Sequence, residues 1–221
     1  MLFWMAAFAA LAIAYLIGST PTGWLAGKLL RGVDLRTVGS GSTGATNVLR
    51  TLGKWPALAV LIVDMAKGAA AVVFARWVCR WLEASPSIAR PAGLDLQAAT
   101  PWAVCLAGLA VLLGHARPVW LKFAGGKSVA AGLGVLLAVS WPVGAGGAVV
   151  FLLGIAVFRI VSLSSMLAAV TAIALVLALD EPLAYRLLVV AGGAYVILRH
   201  RANIGRLLAG TEPRVGRSSP G

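Results

Sequence analysis

The stretch PALAVLIVDMAKGAAAVVFARWV, residues 56–78, is apolar apart from Asp64, Lys67 and Arg76. At about 1.5 Å per residue, a helix of this length crosses the roughly 30 Å apolar core of a bilayer. Asp64 and Lys67, three residues apart within it, are expected to form a structural ion pair. Similar apolar segments lie at about 2–29, 100–114, 129–141, 143–158, 164–179 and 183–198. The pattern predicts an all-α polytopic membrane protein with about seven transmembrane helices.

Two of these segments are interrupted or short. Segment 2–29 contains GSTPTG at residues 18–23, and it is long enough to cross the bilayer even if it bends there. Segment 129–141 is short for a crossing, and Trp141-Pro142 divides it from the next segment. These two segments form either separate spans or a re-entrant pair, and the second alternative lowers the number of spans. The apolar start of the chain lacks the basic beginning of a signal peptide, so we interpret it as a retained span.

The composition excludes an ordinary soluble domain. Hydrophobic residues make up 60% of the 221-residue chain and charged residues 12%, which is about half the charged share of a soluble domain. The net charge of +12 would suit a nucleic-acid-binding protein, but the cations lie in short segments between apolar runs. We therefore expect no nucleic-acid partner. The spacing of Cys79, Cys105, the two histidines and the carboxylates gives no metal or redox motif, so we expect no metal and no cofactor.

The cations are distributed unevenly between the two sides of the predicted membrane. If the N-terminus lies outside, four cations lie outside, Lys67 lies within a span, and 14 of the 19 lie inside, namely Lys28, Arg31, Arg36, Arg50, Lys54, Arg117, Lys122, Lys127, Arg159, Arg199, Arg201, Arg206, Arg214 and Arg217. The outer four are Arg76, Arg80, Arg90 and Arg186. The positive-inside rule then favours an outer N-terminus and a cytoplasmic C-terminus. Residues 1–221 are expected to form a single transmembrane domain with four cytoplasmic polar segments, at 31–55, 114–128, 159–164 and 199–217.

The first polar segment contains GSGSTGATNVLR, residues 39–50. Its glycines match GxGxxG, but no strand–helix–strand unit surrounds them, which argues against a dinucleotide site. Glycines allow backbone N–H groups to turn toward an anion, and the guanidinium of Arg50 is a fork suited to phosphate. Further donors are supplied by Ser40, Thr43, Thr46 and Asn47. The segment predicts a phosphate-binding loop, with a flexible loop and a positive-inside arginine as the alternative.

The second polar segment reads GHARPVWLKFAGGKS, residues 114–128. Its end resembles a Walker A sequence, but Leu121 occupies the position of the first glycine and no strand precedes it. Gly125 and Gly126 permit a tight turn, and a helix is expected to start at Ser128. Free N–H groups of the turn, the helix dipole and the ammonium of Lys127 would then converge on one anion. The alternative is a positively charged helix cap without a ligand.

The third and fourth polar segments carry weaker signals. In RIVSLSS, which starts at Arg159, the hydroxyl of Ser164 or Ser165 is expected to cap the next helix, and contact with a ligand is the second interpretation. In HRANIGRLLAGTE, His200 and Asn203 are three residues apart and share one face if the helix continues. Taken by itself, the fourth segment fits a basic tail lying on anionic membrane lipid.

The expected cytoplasmic face has little apparatus for acid–base chemistry. No HxxxxD acyltransferase motif is present, since Trp120 and Gly205 stand five residues after the two histidines. The carboxylates of this face are Asp34 and Glu212, and no nucleophile–base pair is evident. These features suit a reaction whose leaving group is already activated, so that the protein positions substrates and neutralises charge. A transporter for phosphate-bearing solutes and a non-catalytic lipid-binding scaffold are the rival classes.

Six segments, in order and with their spacing, resemble one known family, the bacterial acyl-phosphate-dependent glycerol-3-phosphate acyltransferases. The resemblance covers about residues 18–217. Six matches in the same order identify the family specifically, whereas any one of them alone would not. The segments are GSTPTGWLAGKL, VGSGSTGATNVLRTLG, LIVDMAKGA, LGHARPVWLKFAGGKSVAAGLGV, RIVSLSS and HRANIGRLLAGTE.

The resemblance implies an integral enzyme of the bacterial inner membrane, with seven spans, an outer N-terminus, a cytosolic C-terminus and a cytoplasmic active site. It implies transfer of an acyl chain from acyl phosphate to the first hydroxyl of sn-glycerol 3-phosphate. The products would be lysophosphatidic acid and inorganic phosphate, in the first acylation step of phospholipid synthesis. The family uses neither acyl-CoA nor acyl carrier protein, and it lacks the HxxxxD motif, as this chain does.

Carried over position by position, the family's motifs imply catalytic roles for Ser40, Arg50, Lys127, His200 and Asn203. They imply substrate contacts, with Glu212 as a support, for Thr46, Asn47, His115, Gly125, Gly126 and Ser162. Ser128, beside Lys127, is expected to be a further substrate contact, although the motif does not imply it. Lys127 and the N–H groups around Gly126 are expected to hold acyl phosphate, while Arg50, Ser40 and Asn203 orient glycerol 3-phosphate. The acceptor's own phosphate takes the hydroxyl proton in this scheme, and His200 is the alternative acceptor.

The chain departs from the family's usual pattern at three places. Ser42 stands where the family usually has asparagine, and Ser128 where it usually has glycine. Ala116-Arg117 replaces a usual Asn-Trp pair. A ligand contact by Ser42 is therefore doubtful, while Ser128 would add a donor or a helix cap.

Overall fold

The computed structural model describes residues 1–85, 87–88 and 91–216, and it is all-helical over those ranges. Two cations of the charge count, Arg90 and Arg217, lie outside the described residues. A short 3-10 helix spans Val119–Leu121. The α-helices of the described chain are α1 (Leu2–Ser19), α2 (Thr22–Arg31), α3 (Ala45–Leu52), α4 (Lys54–Glu83), α5 (Leu96–Ala116), α6 (Val129–Val139), α7 (Trp141–Phe158), α8 (Val161–Ala178), α9 (Leu183–Arg199) and α10 (Arg201–Leu208).

Several helices have the length and apolar character of membrane spans. Helices α9 and α10 together have the length and apolar character of one span, but they are bent by 55° at their break. They therefore form either a broken span or a re-entrant segment. Helix α6 is apolar but has 11 residues, about 17 Å, or roughly half of a 30 Å core. The described residues contain five candidate spans that no bend of more than 40° divides, at Leu2–Arg31, Lys54–Glu83, Leu96–Leu121, Trp141–Phe158 and Val161–Ala178. The predicted class, a polytopic all-α membrane protein, is confirmed; the count of seven and the outer N-terminus stay predictions.

The predicted breaks lie close to the observed ones. The first apolar segment is interrupted as predicted, because α1 ends at Ser19 and α2 begins at Thr22, on either side of Thr20-Pro21. The predicted division at Trp141-Pro142 is slightly late, since α7 already begins at Trp141. Proline is well tolerated in the first turn of a helix, where its missing N–H would have no helical partner.

The start of α8 differs from the prediction. The helix begins at Val161, so Ser164 and Ser165 lie within it rather than before it. Their hydroxyls donate to the carbonyls of Ile160, at 2.9 Å, and Val161, at 2.8 Å. The predicted capping role of these two serines is therefore wrong, because each hydroxyl is used one turn back within the chain.

Close helix contacts hold α6 in the middle of the molecule. Gly68 of α4 faces the carbonyl of Ala131, and Gly134 of α6 faces the carbonyl of Met65, with no room for a Cβ at either glycine. Such contacts are typical of membrane helices that pack at short distance. The largest core cluster surrounds this contact and joins α1, α4, α5, α6 and α9. Helix α6 is thereby fixed against the long helices around it.

Arg76 of α4 interacts with the C-terminal end of α6. Its Nη1 donates to the carbonyl of Ala138 at 2.7 Å, and its Nη2 lies 3.4 Å from the hydroxyl of Tyr185. The last carbonyls of a helix have no helical partner, and leaving them unpaired in an apolar interior is unfavourable. Arg76 therefore stabilises a short helix whose other end, the N-terminus of α6, points toward the polar segments.

The predicted ion pair within α4 is confirmed. Lys67 Nζ lies 2.7 Å from Asp64 Oδ1, and both side chains are buried. Lys67 also donates to the carbonyl of Thr20 at 3.0 Å, and the hydroxyl of Thr22 donates to Asp64 at 2.5 Å. The pair thus satisfies polar groups at the break between α1 and α2, which lack partners within either helix.

Candidate active site

A polar cavity of about 110 Å³ lies where the four polar segments meet. It is surrounded by α3, the N-terminus of α6, the start of α8, the break between α9 and α10, and the tail after α10. Asp64 and Glu212 contribute carboxylates to its lining. Two of the predicted site residues, Gly125 and Gly126, do not line it. The other predicted site residues all line it, namely Ser40, Thr46, Asn47, Arg50, His115, Lys127, Ser128, Ser162, His200 and Asn203.

Asn47 organises the loop before α3. Its side chain is buried, and its Nδ2 lies within 2.9–3.0 Å of the carbonyls of Leu35, Val38 and Ser42. Its Oδ1 accepts from the N–H of Ser40 at 2.9 Å. Both N–H donors of the amide are therefore used by the loop backbone. The structure differs here from the predicted substrate contact, because Asn47 shapes the loop and leaves other side chains to face a ligand.

Arg50, Ser40 and Thr46 are three side chains of the first polar segment that line the cavity and are available to a ligand. Arg50 lies in the last turn of α3, is exposed, and forms no ion pair with any of the described residues. Ser40 is exposed and Thr46 half-buried, both at the cavity. A free guanidinium beside two hydroxyls is suited to a phosphate group.

Lys127 is held by a network that ends at Glu212. Lys127 Nζ donates to Asn203 Oδ1, and Asn203 Nδ2 donates to Glu212 Oε1 at 2.6 Å. The same carboxylate accepts from Ser162 Oγ and from Arg206 Nε, each at 2.7 Å. Burial raises the pKa of Glu212, but these three hydrogen bonds outweigh burial and hold the pKa below its usual value. Glu212 therefore stays ionised and fixes the Asn203 amide with its oxygen toward Lys127, the support that the family motif implied.

The field at Lys127 is positive. Burial is the main cause that lowers the pKa of Lys127 to about 8. Glu212 opposes this shift, while the guanidinium groups of Arg206, Arg50 and Arg199 add to it. Because Glu212 is already paired with Arg206, a phosphate placed between Lys127 and Arg50 would relieve the repulsion between cations.

The tautomer of His200 follows from its surroundings. The ring is buried, and Nδ1 lies 2.7 Å from the carbonyl of Val196. A carbonyl oxygen accepts and does not donate, so Nδ1 carries the hydrogen. In the neutral ring, Nε2 therefore holds the lone pair and is the nitrogen able to accept a proton or a hydrogen bond.

Gly125 and Gly126 make room for His115 rather than for a ligand. The N–H of Gly126 donates to the carbonyl of His115 at 3.1 Å. A Cβ at Gly126 would collide with the His115 ring, and one at Gly125 would collide with the His115 carbonyl and Pro118. The predicted convergence of the Gly126 N–H on an anion is therefore wrong. The glycines instead seat His115, whose Nδ1 lies 3.6 Å from Asp64 Oδ1, beyond hydrogen-bond distance.

The first turn of α6, unlike those glycines, presents backbone N–H groups of the kind that suit an anion. The helix begins at Val129, and Val129 and Ala130 line the cavity. N–H groups of a first turn have no carbonyl partner within their helix, and the dipole adds positive potential there. Ser128 does not cap this turn; it adopts a φ of 61°, is fully buried, and donates to the carbonyl of Leu112 at 2.8 Å. The Ser128 hydroxyl therefore anchors the loop to α5, instead of capping α6 or contacting a ligand as predicted.

The two other departures from the family pattern have local partners. Ser42 Oγ accepts from the N–H of Gly44 at 3.3 Å, within its own turn. The carbonyl of Arg117 accepts from the hydroxyl of Tyr15 at 2.7 Å, while its guanidinium lies 3.4 Å from the carbonyl of Phe123. Both residues therefore have partners in local structure; Arg117 does not line the cavity, whereas Ser42 does.

An apolar cavity of about 230 Å³ adjoins the polar one. It lies among α4, α5, α6, α7, α8 and α9. Its lining could not be identified from the sequence, since lining and lipid-facing residues are equally apolar. Five residues line both cavities, namely Leu61, Val129, Ala130, Phe151 and Ser165. A ligand with a polar head and an apolar tail would fit across this junction.

The fold and the site together define an integral membrane protein with a cationic pocket at one end of its helices and an apolar cavity beside it. The family model described as "Glycerol-3-phosphate acyltransferase" matches residues 8–210. The chain therefore belongs to the glycerol-3-phosphate acyltransferase family, as its motifs predicted.

Curated and solved relatives extend over nearly the whole chain. It is 70% identical over 217 residues to "Glycerol-3-phosphate acyltransferase 2" of Rhizobium johnstonii, covering 98% of this chain and 99% of the relative. It is 53% identical over 213 residues to "Glycerol-3-phosphate acyltransferase" of a Synechococcus species, covering 96% and 95%. The crystal structure of PlsY, an integral membrane glycerol 3-phosphate acyltransferase, in its glycerol 3-phosphate form, gives a TM-score of 0.80 at 38% identity, covering 95% of this chain and 96% of that one. The lysophosphatidic acid form gives 0.76 at 37% identity, covering 95% of each.

Proposed function

We propose that this protein transfers an acyl chain from acyl phosphate to sn-glycerol 3-phosphate, giving 1-acyl-sn-glycerol 3-phosphate and inorganic phosphate. The observation that carries the proposal is the junction of the cationic cavity with the apolar cavity, which share five lining residues. An acyl phosphate has the same two parts, a charged head and an apolar tail. The relatives named for glycerol 3-phosphate and lysophosphatidic acid support the acceptor and the product.

The two phosphates are assigned to different groups of the cavity. Lys127 and the first-turn N–H groups of α6 hold the phosphate of the donor, where negative charge grows as it leaves. Arg50 and Ser40 hold the phosphate of glycerol 3-phosphate at the opposite loop. Asn203, fixed by Glu212, keeps Lys127 in place and borders the acceptor.

In the reaction, the first hydroxyl oxygen of glycerol 3-phosphate forms a bond to the acyl carbonyl carbon. The bond between that carbon and the phosphate oxygen breaks, and inorganic phosphate leaves with the electron pair. The hydroxyl proton passes to the acceptor's own phosphate. His200 Nε2, which carries a lone pair in the neutral ring, is the alternative acceptor. Acyl phosphate is already activated, so positioning and charge neutralisation supply most of the catalysis.

We further propose seven spans, an outer N-terminus, and a cytoplasmic active site in the bacterial inner membrane. The uneven distribution of cations supports this orientation, because the polar segments that meet at the cavity carry most of them. With acyl phosphate as the donor, the reaction needs neither acyl-CoA nor acyl carrier protein. The product enters phospholipid synthesis as its first acylated intermediate.

The direct test uses the purified protein with palmitoyl phosphate and glycerol 3-phosphate, following phosphate release and lysophosphatidic acid together. We expect one phosphate released for each lysophosphatidic acid formed, and no reaction when palmitoyl-CoA replaces palmitoyl phosphate. Uptake of glycerol 3-phosphate into proteoliposomes without acylation would favour a transporter instead. Lipid binding with neither activity would favour a scaffold.

The proton acceptor is tested separately with His200→Ala. If the acceptor's phosphate takes the proton, the variant changes the KM for glycerol 3-phosphate while the shape of the pH–rate profile is retained. Loss of the acidic limb of that profile would assign the base to His200.

A further inference from the structure

We propose that the end of the apolar cavity remote from Lys127, at the level of Gly147 and Ala172, limits the length of the acyl chain that the protein transfers. The inference rests on the proposed function, since it takes this cavity as the site of the donor's acyl chain. Gly147 belongs to α7 and Ala172 to α8, and both line the apolar cavity but not the polar one.

The depth of the cavity follows from helix geometry. On α8, Ser165 lines both cavities, and Ala172 lies seven residues further along, about 10 Å at 1.5 Å per residue. On α9, the lining runs from Val196 to Leu188, about 12 Å by the same measure. The cavity therefore covers roughly a third of a 30 Å bilayer core and does not continue through it.

Beyond Ala172 the space is filled by a buried cluster. Val143 and Val176 are fully buried there, and Val189 and Ala172 are nearly so. Neither Val143 nor Val176 lines the cavity, so they form the packing behind its end. A chain that reaches this cluster has to displace tightly packed side chains, which is unfavourable. Each methylene beyond that point therefore gains no burial in the cavity.

Gly147 is the position where this end can be filled without disturbing the fold. A Cβ there would lie 3.5 Å from the Ala168 carbonyl oxygen and 4.0 Å from Ala172 Cβ, which are ordinary contacts. At the adjacent Gly146, by contrast, a Cβ would collide with the side chain of Leu175. Side-chain volume added at Gly147 therefore enters the cavity at its far end.

The experiment measures kcat/KM with a series of saturated acyl phosphates from butanoyl to stearoyl, for the wild-type protein and Gly147→Val. We expect the ratio of variant to wild type to fall about tenfold for palmitoyl and stearoyl phosphate, the loss expected when roughly two methylenes at about 0.8 kcal/mol each leave the cavity. The ratio for butanoyl phosphate should stay within about twofold, because so short a chain ends before Gly147, which lies four residues, about 6 Å, beyond Phe151 at the junction of the two cavities. Val149→Leu is the control, since Val149 lies two residues away on α7 and is exposed.

The opposite change, Val143→Ala, should deepen the cavity and raise the preference for dodecanoyl over octanoyl phosphate. The proposal is overturned if folded Gly147→Val loses the same factor with every donor, or if Val143→Ala leaves the profile unchanged. Should Gly147→Val elute as aggregate, Gly147→Ala provides the same test, with about fourfold expected for one methyl group. Failure of the wild-type protein to use any acyl phosphate is a different result, because it contradicts the proposed function itself.

Discussion

Two glycine-rich loops meet at the polar cavity, residues 39–44 and residues 125–128, and they use glycine for different reasons. In the first loop, Gly39 and Gly41 adopt φ angles of 59° and 67°, which glycine tolerates far better than other residues. The side-chain amide of Asn47 then holds the turned backbone through hydrogen bonds to three of its carbonyls. The loop is held by backbone conformation and one buried amide, and its arginine is left free.

The second loop needs small residues because another group passes close by. Gly125 and Gly126 keep ordinary backbone angles, and the residue at positive φ is Ser128. Both glycines lie against His115, and one cation, Lys127, reaches into the cavity. Glycine in such a loop can therefore be needed for either of two reasons, a positive φ or a close contact with a neighbouring group. A substitution of glycine is expected to have different effects in the two cases.

The largest expected effect comes from removing the cation of either loop. Lys127→Ala and Arg50→Ala should each lower kcat/KM by about 10²–10³-fold, as for loss of a group that binds developing charge. Lys122→Ala is the matched control, because Lys122 is exposed and does not line the cavity. Phosphate-release assays on monodisperse protein provide the measurement. Near-normal rates for Lys127→Ala or Arg50→Ala would contradict the site assignment.

The second prediction separates the two uses of glycine. Gly126→Ala pushes a Cβ into the His115 ring and should destabilise the protein by about 1–3 kcal/mol, as overpacking does. Gly41→Ala places a Cβ 3.3 Å from the Arg36 carbonyl oxygen, a much milder contact, and keeps a positive φ, at a cost of about 1–2 kcal/mol concentrated in an exposed loop. We expect the first variant chiefly to lower Tm and the second chiefly to raise the KM for glycerol 3-phosphate. Identical responses of Tm and KM in both variants would remove the distinction.

The third prediction concerns pH and the second loop. The pKa of Lys127 is about 8, so its ammonium is present below that pH and is lost above it. Because kcat/KM reports the free protein, it should fall about tenfold for each pH unit above about 8. Lys127→Arg should have a lower but flat alkaline profile, since the guanidinium stays protonated. An unchanged alkaline limb in Lys127→Arg would assign that limb to another group.

The smallest effect is expected at Ser128. Ser128→Gly relieves about 1 kcal/mol of strain at positive φ but loses the hydrogen bond to Leu112, worth about 1 kcal/mol. The two changes nearly cancel, so Tm should move by no more than about 2 °C. Ser128→Ala keeps the strain and loses the bond, and its Tm should fall by about 2–4 °C. A Ser128→Ala variant with the Tm of the wild-type protein would show that the hydroxyl is not the anchor, and equal Tm values for the two variants would show that the positive φ carries no strain.

The sequence predicted the class of fold because membrane spans need long apolar runs, and such runs are visible without any contact. It also indicated most residues of the cavity, since the polar segments must gather at the ends of their spans. Helix α6 was harder to interpret. Its 11 residues are stabilised by Arg76 of a distant segment, and no local pattern records that partner.

The roles of individual residues needed the structure. Gly126 resembles part of a phosphate loop until its contact with His115 is seen, and Asn47 resembles a ligand donor until its four backbone contacts are counted. Asp64 was predicted as a structural partner of Lys67, which it is, but it also lines the cavity. Such assignments depend on which side chains already have partners, and residue type does not report this.

Glu212 comes later in the chain than every other residue of the polar cavity. The tail that carries it is held in place by the N–H of Val215, which donates to the carbonyl of Arg159 at 2.7 Å. During translation the helices enter the membrane in order, and Asn203 has no carboxylate to orient it until residue 212 has been added. A nascent chain that stalls earlier can occupy the membrane but lacks the carboxylate that orients Asn203, so its polar cavity is incomplete.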